Sequence, residues 1–477
     1  MTTAQLRSII FAAAGALLLG ALAARPVLAQ GDGPAPAEGP ATPAPKIDFF
    51  PVRNSLALPG AEESAAAPEP TPSGAPQGGG LGAGSIGGRS GRFKDRSRNA
   101  PFRESRTAIG LYGKHINALL GGFEQGAGIG LGIELTTADS LRGVELRTSL
   151  LFSIRFYRRF EVEAYFPKVF SDNTHAQVWF SYLRRTRDNY FGIGPRIPNI
   201  YQTNFDWEHR SYNATLVHDF TRDLQAGVYT AIANTSSYNG GNDNDIPFDQ
   251  LFSGDPNVVP ITSWAPGFQQ NTKIFFYGGF AEYDRRNDER GLTKGGYLYA
   301  NLGSADGLTI KDDVFSDYGW RYFIFDARGY IPVFSDKTSI ALRSFTEIRS
   351  PKGGSQIPFY DMAFLGGRNF GRGFRNFRFR GNNLQLFAAE VRQTIYTREE
   401  DSGLDIHVFG DLGQVWGDSR SRTNPQVLAN DKFDSKNWRT GFGGGFQYRY
   451  SKDLGLRIEA GRSNERTLIY MSIGRGF

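Results

Sequence analysis

The chain has 477 residues, 59 of them glycine and none cysteine, so an exported fold of this length is held without disulfides. Its formal charge of +6 falls by 2 to +4 once a leader carrying Arg7 and Arg25 is removed, too little to mark a nucleic-acid binder. A closed barrel would supply the stability that disulfides do not.

In chain order, "MTTAQLRSIIFAAAGALLLGALAARPVLAQ" opens polar, runs apolar from Ile9 to Ala24 and ends on a small-x-small site at Ala29. That is the pattern of a cleaved secretory signal over residues 1–29, because the apolar run falls short of the ~20 residues of a membrane span. Residues 30–100 are dense in Pro, Ala, Gly and Ser, as in "GDGPAPAEGPATPAPK". Such a segment cannot bury enough apolar area to offset its ordering entropy, which predicts a disordered periplasmic tether with one apolar patch, "IDFFPVRNSLALPG".

From 101 to 477 no helix-length amphipathic pattern occurs and alternation takes over. In "LDIHVFGDLGQVW" Leu404, Ile406, Val408, Leu412 and Trp416 share one face, and Asp405, His407, Phe409, Asp411 and Gly413 the other. In "LQLFAAEVRQTIY" Phe387, Ala389, Val391 and Ile395 oppose Glu390 and Arg392. Strands are predicted at 106–115, 126–136, 142–154, 158–167, 174–187, 207–219, 224–235, 272–283, 294–302, 317–330, 338–349, 384–397, 404–417, 438–449, 455–462 and 466–477. If the first runs outward, the connections 188–206, 236–271, 303–316, 350–383 and 418–437 fall on the outer side. The inner ones are all short, such as "TRDL" and "VFSDKT". Two short outer connections, near 155–157 and 463–465, depart from the pattern. A soluble sandwich shares the alternation but has no reason to segregate loop lengths. The expected fold is therefore all-β, a transmembrane antiparallel barrel of about sixteen strands in a Gram-negative outer membrane. Aromatics near strand ends, as in "YFGIGP", "DYGWRYF" and "QVWGD", suit interfacial girdles.

The longest outer loop but one holds "GGRNFGRGFRNFRFRG", residues 366–381. Its arginines would suggest phosphate or nucleic acid, but an extracellular loop meets no nucleic acid. Here the chain resembles the BamA/TamA-type bacterial surface antigen superfamily. The shared features are the Arg-Gly-aromatic core of Gly371-Arg372-Gly373-Phe374, the Glu-x-Arg of Glu390 and Arg392, and the Phe-x-Asp-x-Gly of Phe409, Asp411 and Gly413. Gly371 stands where that family carries a β-branched residue. The terminal Phe477 is similar to the signal by which the outer-membrane assembly machinery recognises its clients.

The resemblance implies a sixteen-stranded barrel whose sixth outer loop folds back into the lumen. Arg372 would then meet Asp411 or Glu390 bidentately, Gly373 would allow close backbone approach, and Phe374 would pack beside Gly413. The alternative is a solvated outer loop. Arg368, Arg375, Arg378 and Arg380 are expected to face lipid head-group phosphates or lumen acids.

The function it implies is protein insertion into, or transport across, the outer membrane. Partners would be client proteins, the assembly machinery during the chain's own insertion, and outer-membrane lipid including lipopolysaccharide. Assembly factors of this family carry periplasmic POTRA domains, whose α/β pattern residues 30–100 lack. That leaves two alternatives, a passive channel plugged by its own loop or a structural envelope barrel.

No enzyme signature appears. The five histidines are scattered, no obvious nucleophile pairs with a base, and no cofactor or metal is expected; an outer-membrane hydrolase, whose site would assemble from separate strands, is the alternative. "GAGIGLG", residues 126–132, reads as a strand of small residues where something packs closely, rather than a dinucleotide loop. "GGNDNDIPFDQ", with Asp243, Asp245 and Asp249, reads as a solvated loop because it lacks the calcium-loop Gly and Glu.

Overall fold

The computed structural model describes residues 107–473 except 113–115, 122–129, 142–143, 198, 200–201, 242–246, 250–264, 287–293, 309–317, 400–401, 418–431 and 451–454. The signal, the tether, Phe477, Asp243 and Asp245 lie outside the described residues. The chain divides into two units, Met1–Gly78 and Gly79–Phe477, and every described element belongs to the second.

Seventeen strands form one antiparallel sheet. They are β1 (Thr107–Tyr112), β2 (Ile116–Gly121), β3 (Gly130–Leu141), β4 (Val144–Ser153), β5 (Arg158–Phe166), β6 (Thr174–Tyr190), β7 (Thr203–Asp219), β8 (Leu224–Asn239) and β9 (Asn271–Asp284), followed by β10 (Gly295–Gly307), β11 (Gly319–Pro332), β12 (Thr338–Pro351), β15 (Asn383–Glu399), β16 (Ser402–Trp416), β17 (Arg439–Arg449), β18 (Gly455–Ser463) and β19 (Thr467–Ile473). Two short strands, β13 (Ala363–Leu365) and β14 (Phe379–Gly381), pair with each other inside the connection from β12 to β15.

Each wall strand pairs with the next along the chain, from β1–β2 through β9–β10 and β12–β15 to β18–β19. Among the described residues no ladder joins β1 to β19, and the place where these two ends of the wall meet is its seam. The count is one above the expected sixteen because Ile116–Gly121, read from sequence as part of an outer connection, is a strand. Every later strand keeps its side, since the addition is at the start. The long connections, 191–202, 240–270, 352–382 and 417–438, share one end, and 220–223, 333–337 and 400–401 share the other. This segregation makes the long-loop end the outer one.

Alternation along the strands separates two environments. On β16, Asp405, His407, Phe409 and Asp411 are buried while Ile406 and Val408 are exposed, Val408 at 62%. Exposed apolar residues recur on β3, β4, β8, β10 and β15, including Leu131, Phe152, Val228, Leu302 and Ile395. An apolar outside with charged side chains inside is the arrangement of a barrel in lipid. On the inner face, an aromatic cluster fills the outer half beside β6–β11. Tyr190, Phe205, Phe248, Phe268, Phe359 and Trp320 are each at most 2% exposed. Phe248 stacks on Phe268 at 4.0 Å and meets Tyr190 at 4.6 Å. Of the described residues in the 240–250 segment, Phe248 is anchored in the lumen and Asp249 accepts a hydrogen bond from Asn239, so these two are not simply solvated.

Candidate functional site in the lumen

The connection between β12 and β15 turns into the barrel because its sequence supplies the two things an inward loop needs, glycines for tight reversal and side chains that satisfy lumen charges. Gly366, Gly367, Gly371 and Gly373 all have positive φ, at 122°, 87°, 124° and 95°. Gly371 therefore has a local reason to replace a β-branched residue, which would be strained at that φ. At Gly373 a Cβ would lie 2.7 Å from the carbonyl carbon of Arg462, so the loop backbone lies directly on β18.

Arg372 is 1% exposed. Its backbone N–H and Nε both donate to Asp411 Oδ2 at 2.9 Å, Nη2 donates to Asp411 Oδ1 at 2.7 Å, and Nη1 donates to Glu390 Oε2 at 2.9 Å. The guanidinium lies 3.4 Å from the centroid of the Phe409 ring. One planar cation is thus held by two carboxylates and an aromatic face, geometry that a lysine cannot reproduce. Burial alone would lower the pKa of Arg372; Asp411, with Glu390 and Glu459, outweighs that and holds it above the ordinary arginine range.

Glu390 also accepts from Arg392 Nε at 2.6 Å and from Arg457 Nη2 at 2.8 Å. Arg457 Nε reaches Glu459 Oε2 at 2.6 Å, and Glu459 lies 3.2 Å from His407 Nε2. The network spans β15, β16 and β18. From β19, the Tyr470 hydroxyl accepts from Gly373 N–H at 2.9 Å and donates to the Phe374 carbonyl at 3.1 Å. Ser463 Oγ donates to the Gly373 carbonyl at 2.8 Å.

The structure thus brings together Arg372, Gly373, Asp411, Phe409, Glu390 and Arg392. Phe374 is buried in a separate apolar cluster with Leu365, Phe379 and Val415. Leu365, not Phe374, lies against Gly413, where a Cβ would come within 2.5 Å of its Cδ1. The sequence reading missed Arg457, Glu459 and Tyr470. The first two carry a usable signal, charged residues alternating with Ile458 on one face of "GLRIEAGRS". Gly441 was missed too: a Cβ there would sit 1.8 Å from the Arg372 carbonyl oxygen.

The neighbouring arginines meet protein. Arg368 lies 3.8 Å from Glu459, and Arg378 donates to Glu465 and to the Ile197 carbonyl, both at 2.8 Å. Arg380 donates to the Phe359 carbonyl at 2.8 Å among the rings of Tyr190, Phe205, Phe359 and Phe377, and burial pushes it down to about 10. On β12, Arg343 binds Asp326 with Nε and Nη2 and gives Nη1 to the Asn369 carbonyl at 2.9 Å. Across the mouth, Gly194 N–H donates to the Arg380 carbonyl at 2.7 Å, Arg439 Nη2 donates to the Pro195 carbonyl at 2.7 Å, and Arg196 Nε donates to Asn437 Oδ1 at 2.9 Å. Among the described residues no group of three or more His, Cys, Asp or Glu is placed to hold a metal ion.

An antiparallel wall with a greasy exterior, a charged interior and an outer loop folded inward is an outer-membrane β-barrel. The Omp85 superfamily domain matches residues 142–457, and the chain belongs to that superfamily. Among solved structures it is similar to BamA from Haemophilus ducreyi lacking POTRA domains 1–3, with a TM-score of 0.56 and 15% identity over 80% of this chain and 77% of that one. CdiB from Escherichia coli is a looser likeness, with a TM-score of 0.49 and 13% identity over 77% of this chain and 64% of that one. No curated protein matches by sequence.

Proposed function

We propose that this barrel assists the insertion of proteins into the outer membrane, or their transport across it, by lending backbone edges at its seam. The observation that carries this reading is the contrast in the ladders. Among the described residues the seam strands β1, β2 and β19 have six, six and seven residues, whereas β6, β7 and β15 have seventeen each. Short end strands with no mutual ladder among the described residues leave backbone donors and acceptors for an incoming strand. The bonds that cross the outer mouth argue in the same direction, because a route straight through the lumen would have to break them.

On this reading, Arg372, with Asp411, Glu390 and Phe409, pins the loop so that the strands on one side of the seam keep their place without a neighbour. Residues 1–29 are a cleaved signal and 30–100 a periplasmic tether. Phe477 serves the chain's own assembly, and lipid, lipopolysaccharide and client proteins are its partners. The test is the outer-membrane proteome of a strain lacking the protein. Loss of a defined set of barrels or secreted proteins supports the reading, and an unaltered proteome removes it.

A loop-plugged passive channel is the second reading. It is favoured by the polar interior of β4–β6, where Arg147 donates to Glu163 and Ser149 to Glu161. In a planar bilayer, deleting residues 366–381 would then raise conductance, and an unchanged trace would count against it.

A further inference from the structure

The function proposed above gives the seventeenth strand no role of its own. Without β1 the sheet is a sixteen-stranded meander that begins at β2 and ends at β19. β2 uses one edge on β3, with Ile116 opposite Leu135 and Gly121 opposite Gly130. Its other edge would face the seam, and there the chain places its own preceding residues. Thr107 lies opposite Leu120, Ala108 opposite Leu119, Ile109 opposite Ala118, Gly110 opposite Asn117 and Tyr112 opposite Ile116. β1 therefore covers most of the length of β2.

We propose that β1 is a displaceable clasp: a strand of this chain that occupies the seam edge of β2 and must leave before a strand from another chain can pair there. The proposal rests on the strand-lending reading above and adds its regulation. Three observations make the clasp weak enough to leave. Among the described residues β1 pairs with one neighbour, whereas each interior wall strand pairs with two. Its register breaks between Gly110 and Tyr112, which leaves one residue unpaired and bends the strand. It carries a glycine within a ladder of only five facing pairs, and hairpins of that size are marginal alone in water. While in place, the clasp satisfies backbone groups that would otherwise template uncontrolled pairing between barrels.

The absence of cysteine from the chain gives a clean test. Ala108→Cys with Leu119→Cys places two thiols on directly opposed residues, and the Cα spacing of such pairs suits a disulfide. The double variant is reconstituted as the full chain in vesicles of phosphatidylethanolamine and phosphatidylglycerol. It is then offered a synthetic peptide of residues 466–477, "RTLIYMSIGRGF", bearing a photoreactive group at its Ile469 position. Oxidised protein is expected to capture roughly tenfold less peptide on β2 than the same protein after reduction, because the lock removes the competent fraction. A variant lacking residues 101–112 is expected to capture several-fold more than wild type. If that variant does not fold, the oxidised and reduced pair carries the test alone.

Failure of the disulfide to form in a folded barrel would overturn the placement of β1. Equal capture by oxidised and reduced protein would overturn its role as a guard. Capture by no form at all would overturn strand acceptance at β2, and so the clasp. The proteome comparison, which does not depend on this edge, would still decide the broader function.

Discussion

The two sides of this barrel are built by different forces. Around β6–β9 the ladders are long, with fifteen facing pairs between β6 and β7, and the inner face is sealed by Tyr190, Phe205, Phe248 and Phe359. Around the seam, five pairs join β1 to β2 and seven join β18 to β19. There the inner face is held by hydrogen bonds and ion pairs from the loop around Arg372. Apolar packing in long ladders makes a wall that stays shut. Directional polar bonds can be exchanged one for another, so the seam side can rearrange without unfolding the rest.

The largest predicted effect breaks the polar side. Arg372→Ala leaves Asp411 and Glu390 short of a buried partner, a change that typically costs about 3–5 kcal/mol. The folded, heat-resistant band on gels should be lost at a markedly lower temperature, and the loop should become trypsin-sensitive. Wild-type heat resistance with an intact loop would refute the pinning role. A comparable loss is predicted on the apolar side. Phe359→Ala opens a cavity costing about 3–5 kcal/mol, yet amide exchange in β18 and β19 should stay at wild-type rates. Faster exchange there would mean that the two sides are not separable.

A smaller change sharpens the contrast. Gly441→Ala drives a methyl into the Arg372 carbonyl oxygen and should cost about 1–3 kcal/mol by overpacking, read as weaker loop protection with the aromatic cluster unchanged. Tyr470→Phe removes the acceptor for Gly373 and the donor to Phe374. It should cost about 1–3 kcal/mol for the groups left unpaired and speed exchange in β19 selectively.

The last contrast is a pH dependence of the loop. Asp361 is half-buried in the lumen, and burial pushes its carboxyl up from 3.8 to about 7 against the pull of Arg349 and Arg380, with Glu347 adding to the rise. A raised carboxyl favours the folded loop fully below about pH 4, and that contribution is lost as pH rises through 7. Loop protease resistance should therefore decline from pH 4 to 7, and Asp361→Asn should flatten the decline.

Much of the wall was legible in the sequence because alternation and loop length are local signals. All sixteen expected strands have counterparts, with ends displaced by a few residues. β2 escaped because "INALLG" is short and lacks a charged face, so nothing local distinguishes it from a connection. The pairing of Arg372 with Asp411 and Glu390 could be anticipated from residue type and a known family pattern. Tyr470 could not, because a single tyrosine in an alternating strand carries no mark of the backbone it will meet. The same holds for Gly441 and for Leu365 beside Gly413. Close approach between distant segments is a property of the assembled barrel rather than of either segment.

The 191–202 connection has a mechanical consequence. A ring cut once opens by bending about the point opposite the cut, here near β9 and β10. This connection leaves the wall between β6 and β7 and fastens to Arg380 in the loop and to Arg439 at the start of β17. It spans the ring as a strut, so on the reading proposed above the gap between β1 and β19 widens only as far as the strut yields. On the same reading, how far the barrel gapes is therefore set at its outer rim, by the hydrogen bonds of Gly194, Pro195, Arg196 and Ile197.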